Sequence, residues 1–190
     1  MIEVELKIPI YNKEEAAMRL KDMGFVQGDL KRESDIYFDK EDGQIKNSDS
    51  ALRIRSCENL TQEGATYYLT YKGPKLDAVS KTRKEVEVAV QEPKATQEIL
   101  VSLGYTQVYP VVKLRQYYHK EAMTACLDQV EGLGDFLELE MVIAGEVEKD
   151  TTQEKDAALE TLVAVLNALG CGMEDTIRTS YIGLLQRKNS

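Results

Sequence analysis

Tryptophan is absent from this 190-residue chain, and histidine occurs once, as His119. A lone histidine cannot build a histidine-rich metal site. Following Tyr117 and Tyr118, it reads as a structural or exposed residue. Cysteine occurs three times, as Cys57, Cys126 and Cys171. That odd count at unrelated spacings matches neither a disulfide framework nor a zinc motif, and a reduced, cytoplasmic protein is expected. No apolar run approaches the ~20 residues that a membrane span requires. The opening Met-Ile-Glu-Val-Glu-Leu-Lys has no apolar signal core. Positive charge is also scarce: 24 lysines and arginines against 33 acids leave a net charge of −9. This balance disfavours a general binder of nucleic acid or of anionic membranes, yet leaves room for a local basic pocket. Only four prolines occur, all near segment ends, and no repeat or low-complexity linker divides the chain. A single domain over residues 1–190 is expected.

The hydrophobic fraction of 43% is enough for a sizeable core. Residues 2–10 alternate in polarity, as a strand does. A helical pattern over 12–23 starts at Asn12, a good N-cap, and stops before Gly24. Short alternating runs follow at about 35–40, 51–57, 66–73 and 82–90, with breaks at Gly43, at 47–50 and at Gly73-Pro74. Residues 92–103 read as a second helix. Further alternating runs occupy 111–119, 122–129 and 135–144. Residues 146–150 read as a solvated loop. From about 151 to 187 the pattern is helical, in two pieces parted by Gly170-Cys171-Gly172. About eight consecutive strands joined by short turns pair antiparallel, and eight can close into a barrel.

Residues i and i+2 of a strand share a face. Glu3, Glu5 and Lys7 therefore lie together, opposite Val4, Leu6 and Ile8. Arg53 and Arg55 flank Ile54, and Lys113 and Arg115 flank Leu114. Arg83, Glu85 and Glu87 share a face, as do Glu138 and Glu140, while Lys72 follows Tyr68 and Thr70. The ordinary meaning of such alternation is a sheet with its charged face in water. Here the pairs are segregated by sign, which favours the inverse: charged faces line the lumen, and apolar faces point outward under the helices. The expected fold is α+β, an eight-stranded antiparallel closed barrel with a charged lumen. Buried like charges are costly unless something satisfies them. A divalent cation on the glutamates and a polyphosphate on the arginines and lysines would do so.

Glu3-x-Glu5-x-Lys7 at the N-terminus resembles the signature of the CYTH superfamily, the triphosphate tunnel metalloenzymes. The supporting segments come in the family's order: Asp35-Ile-Tyr-Phe-Asp39, Ala51-Leu-Arg-Ile-Arg55, Leu69-Thr-Tyr-Lys-Gly-Pro74, Lys81-Thr-Arg-Lys-Glu-Val-Glu87, Val112-Lys-Leu-Arg115, and the run from Leu127 to Glu140. The resemblance implies a tunnel open at both ends, with strands over about 2–144. It implies Mg²⁺ or Mn²⁺ held by Glu3, Glu5, Glu138 and Glu140, with Asp128 as an addition. It implies triphosphate contacts from Lys7, Arg53, Arg55, Lys72, Arg83, Lys113 and Arg115. Glu3, Glu5, Lys7 and Arg115 are the candidate catalytic residues; Glu85 and Glu87 either orient arginines or approach a second metal.

Within the superfamily, the opening strand and the Gly-Leu-Gly-Asp-Phe-Leu-Glu-Leu-Glu run are most similar to class IV adenylate cyclase-like proteins. ATP conversion to cyclic AMP and pyrophosphate is the implied activity. Hydrolysis of inorganic or thiamine triphosphate is the first alternative, and binding without turnover the second. A homodimer is suggested by the same relatives. Cys57 and Cys126 point inward by parity and read as packing residues. Tyr37 and Tyr117 are the tyrosines that share a face with the charged positions.

Overall fold

The computed structural model describes residues 2–76, 82–143 and 152–188. Lys81, residue 144, the solvated-loop segment 146–150 and residue 151 lie outside them.

The chain opens with β1 (Ile2–Pro9), α1 (Lys13–Asp22), β2 (Val26–Asp39) and the short α2 (Gln44–Asn47). There follow β3 (Ala51–Asn59), β4 (Ala65–Lys75), β5 (Arg83–Ala89) and α3 (Pro93–Ser102). The second half comprises β6 (Thr106–Gln107), β7 (Val111–Lys120), β8 (Met123–Val130), β9 (Gly134–Ile143), α4 (Thr152–Ala168) and α5 (Tyr181–Lys188). Eight strands run in the order β3-β4-β5-β1-β9-β8-β7-β2, and β2 closes on β3. Every pairing is antiparallel. The barrel is thus closed as expected, and β6 is an extra strand laid against the end of β2.

Local signals act where they stand in the sequence. Asn12 caps α1 by accepting the Glu15 N–H at 3.0 Å, and Gly24 leaves the helix at φ +86°, a conformation that costs glycine little. β2 is far longer than the run at 35–40 suggested. Its register shifts between Gln27 and Leu30, which spoils strict alternation in its first half.

β1 shows why the pattern is inverted. Val4, Leu6 and Ile8 are buried outward beneath α1 and α4, in a core with Leu20, Leu162 and Leu166. Glu3, Glu5 and Lys7 are buried too, with Lys7 only 1% exposed. A face that looked to solvent would leave that lysine wet. A second outer core packs Leu100 of α3 on Phe38 and Ile54.

The C-terminal helices divide. α4 covers the outside of the barrel as expected, whereas α5 does not. Its Tyr181 and Leu185 pack on Val111, Val130 and Phe136. These three share the charged face of their strands, because Val111 pairs with Asp35, Val130 with Lys113 and Phe136 with Asp128. α5 therefore lies across one end of the lumen, and the tunnel is not simply open at both ends. An apolar helix face there buries apolar area that the strands present inward. No helix among the described residues is long and apolar enough to cross a membrane.

Candidate active site

A cavity of about 480 Å³ lies inside the barrel. Glu3, Glu5, Lys7, Arg53, Arg55, Lys72, Arg83, Lys113, Arg115, Glu138 and Glu140 all line it, as do Glu85 and Glu87. Asp128 lies behind this lining, fully buried. The strand pairing brings these residues together from seven different strands.

One side of the lumen is a chain of alternating charges. Arg53 meets Asp35 at 3.1 Å, and Asp35 takes a two-point fork from Arg55 at 2.7 and 2.8 Å. Arg55 reaches Glu33 at 2.9 Å, and Glu33 holds Lys113 at 3.3 Å. Lys113 meets Asp128 at 3.3 Å, and Asp128 forks onto Arg115 at 2.6 and 2.5 Å. Arg115 also bonds Glu138, which faces Lys7 at 3.8 Å. Burial acts to raise the Asp35 carboxyl, but Arg53 and Arg55 outweigh it and hold the pKa at about 2. Glu33 is likewise held low against burial by Arg55, Lys113 and Arg115.

Two tyrosines buttress this wall. Tyr117 donates to Glu33 at 2.6 Å, and Tyr181 donates to Asp128 at 2.8 Å. The Tyr181 ring lies beneath Lys7, 4.0 Å from its Nζ, a cation–π contact that fixes the ammonium. Forks and ring contacts hold these cations in defined positions.

The opposite side is acidic. Glu5 stands directly across from Glu140 in the β1–β9 register, a pairing of like charges that destabilises a sheet. Burial, with the Glu3 and Glu5 charges added, pushes the Glu140 carboxyl up to about 8. Lys72 reaches this side: its Nζ lies 2.6 Å from Glu3 and 3.0 Å from Glu85. Glu87 accepts from Thr70 at 2.8 Å. Among the described residues, no three histidine, cysteine, aspartate or glutamate side chains form a ready-made metal cage. A facing glutamate pair, Glu5 buried and Glu140 half-buried, with Glu3 close by still fits a hard divalent cation, because Mg²⁺ and Mn²⁺ take oxygen donors and complete their shell from phosphate and water. Glu3, Glu5 and Glu140 are the residues that would hold it.

Asp128, which the resemblance adds to the metal ligands, does not line the cavity. Its oxygens are taken by Arg115, Lys113 and Tyr181, so it positions the wall. Glu138 is engaged with Arg115 and Lys7 and stands at the junction of the two sides. Arg83 points to the Asp49 carbonyl at 3.4 Å, near the α5 end. Glu33, Asp35, Tyr117 and Tyr181 complete the wall without having been singled out as site residues. Glu33 and Asp35 alternate like the other lumen strands, and a strand traced back beyond residue 35 would have found Glu33. Tyr181 carries no local signal, since only the docking of α5 brings it to Asp128. His119 is exposed and stacks on Tyr117 at 6.0 Å between ring centroids. Cys57 and Cys126 are buried on the lumen face, as parity indicated.

The same barrel recurs in known proteins. A protein of Methanocaldococcus jannaschii named as a candidate adenylate cyclase is 41% identical over 184 residues, 97% of this chain and 98% of that protein. A solved structure from Pyrococcus horikoshii is 36% identical, covers 98% of this chain and 99% of its own, and superposes with a TM-score of 0.84. A Hippeastrum structure, described as a candidate adenylyl cyclase with a dominant triphosphatase activity, is 19% identical, covers 98% and 95% of the two chains, and gives a TM-score of 0.64. Residues 1–181 match the CYTH domain. The acidic N-terminal strand, the arginine-bearing strands and the closed barrel that joins them make this chain a member of the CYTH family.

Proposed function

We propose that this chain is a divalent-cation-dependent enzyme acting on a nucleoside triphosphate inside the barrel, with conversion of ATP to cyclic AMP and pyrophosphate as its reaction. The observation that carries this reading is the divided lumen: a facing Glu5–Glu140 pair across from a chain of pre-paired arginines and lysines, in one cavity. The wall offers forks suited to phosphate oxygens. Lys7, Arg53, Arg55, Lys113 and Arg115 would bind the triphosphate, with Lys72 and Arg83 at its edges. Glu3, Glu5 and Glu140 would hold Mg²⁺ or Mn²⁺. A bound divalent cation supplies a lowered pKa at the attacking oxygen and neutralises charge on the leaving phosphates.

In the cyclase reaction the ribose 3′-oxygen bonds to the α-phosphorus, and the bond from that phosphorus to the α–β bridging oxygen breaks. Pyrophosphate leaves, and the hydroxyl proton passes to solvent. The protein's own part is electrostatic: Lys7 and Arg115, held by Glu138, Asp128 and Tyr181, stabilise the charge that develops on the phosphates. The name carried by the M. jannaschii relative agrees with this reading. A second reading, hydrolysis of a triphosphate, uses the same wall with water as the nucleophile. It draws on the Hippeastrum protein, in which the shared fold hosts triphosphatase activity.

Purified protein incubated with Mn²⁺ and either ATP or tripolyphosphate separates the two. Cyclic AMP with pyrophosphate is the expected outcome from ATP. Orthophosphate without cyclic AMP supports hydrolysis. Absence of any product overturns both enzymatic readings.

A further inference from the structure

The cations of the lumen are not held alike. Arg55 and Arg115 are each locked by two-point forks onto a buried carboxylate. Lys72 instead makes single-point contacts, at 2.6 Å to Glu3 and 3.0 Å to Glu85, through a flexible four-carbon stem. It lies at the border between the two sides. On β4 its face-mate is Thr70, which pairs with Arg53 of the wall, while Lys72 itself pairs across with Glu85. Its ammonium therefore occupies an oxygen of Glu3, one of the groups a divalent cation would use, with arginines of the phosphate wall on the neighbouring strand. A point charge that is well solvated by two glutamates, yet unforked, is the cation most readily exchanged for another.

We propose that Lys72 is an internal stand-in cation. It neutralises Glu3 and Glu85 before metal binds, and it is displaced toward the triphosphate when a divalent cation takes Glu3. The proposal rests on the reading of the acidic side as the cation site. Its consequence is positive coupling: metal entry frees an ammonium for phosphate, and phosphate draws the ammonium away from the metal site. By linkage each ligand raises the affinity of the other by the same factor.

The test is Mn²⁺ binding by calorimetry to the intact protein with no phosphate compound present. Lys72→Met and Lys72→Gln should each bind Mn²⁺ about tenfold more tightly than the wild type, the usual scale of a coupling between sites. Added Mn²⁺ should also raise the melting temperature of these variants more than that of the wild type. Equal or weaker Mn²⁺ affinity in both variants, with binding abolished by Glu5→Gln, overturns the stand-in role while leaving the metal site in place. Wild-type protein that binds no Mn²⁺, or binding unaffected by Glu5→Gln, overturns the metal reading and this proposal together. A measurement needing no variant is the ¹³C resonance of the Lys72 ε-methylene on titration with Mg²⁺. A saturable shift supports displacement, and an unmoved resonance at saturation contradicts it.

Discussion

The two sides of the lumen use charge in opposite ways. On the wall built from β2, β3, β7 and β8, each buried cation meets a buried carboxylate, and two tyrosines donate to Glu33 and Asp128 in the middle of the chain. On the side built from β1, β5 and β9, Glu5 faces Glu140, and Lys72 serves both Glu3 and Glu85. The wall joins opposite charges in one continuous chain, whereas the acidic side brings like charges face to face. A buried network that satisfies itself specifies geometry. Facing carboxylates instead offer oxygen donors of the kind a hard divalent cation takes. Under the proposed function this difference would divide the roles: the wall would present donors to the triphosphate, and the acidic side would take the cation.

The wall is most vulnerable at Asp128. Asp128→Ala removes the group that holds Arg115, Lys113 and Tyr181, and leaves buried positive charge without its partner. A loss of about 3–5 kcal/mol of unfolding free energy is expected. Urea denaturation checks it, and a loss under 1 kcal/mol would mean that the wall does not depend on this carboxylate.

Glu140→Gln should do the reverse. It puts a neutral amide of the same shape in place of a carboxyl that is held protonated below about pH 8, so the metal-free protein should melt no lower than the wild type. Metal-dependent turnover should nonetheless fall by more than about a hundredfold, beyond the loss typical of outer-shell partners of a metal. A variant that keeps both activity and metal affinity would move the cation site elsewhere.

The smallest effects are in the pH dependence of stability, where the two sides should separate. Glu140 in the folded protein titrates near 8, above the ordinary value of 4.5. Its contribution is present below 4.5 and is lost as pH rises through 8, so metal-free protein should weaken over that window. Asp35 titrates near 2, below its ordinary 3.8. Its contribution is present above 3.8 and is lost as pH falls toward 2. Melting temperatures across this range should therefore fall at both ends, and Glu140→Gln should flatten only the upper limb.

Much of this was legible in the sequence, for a reason particular to strands. Period-two alternation fixes which side chains share a face, and segregation of sign showed that those faces look inward. Glu3, Glu5, Lys7, Arg53, Arg55 and Arg115 could be placed in the lumen on that ground alone. What alternation cannot carry is the partner of each charge, because that depends on register between strands far apart in the chain. Asp128 illustrates this. In sequence it is one more acid near Glu138, but in the barrel it lies opposite Arg115 and serves as its counter-ion. The position of α5 was hidden for the same reason. Its helical pattern shows an apolar face, and only packing decides that this face meets Val111, Val130 and Phe136 instead of the outer sheet. β6, with two residues, is too short to show any period.

The most direct test of the division of the lumen is anomalous diffraction from a crystal of the protein grown with Mn²⁺ and a non-hydrolysable ATP analogue. A manganese peak bonded to carboxylate oxygens of Glu5 and Glu140 is expected, with the triphosphate lying along Arg53, Arg55 and Arg115. A peak bonded to other groups, or a triphosphate outside the barrel at saturating Mn²⁺, would contradict that division.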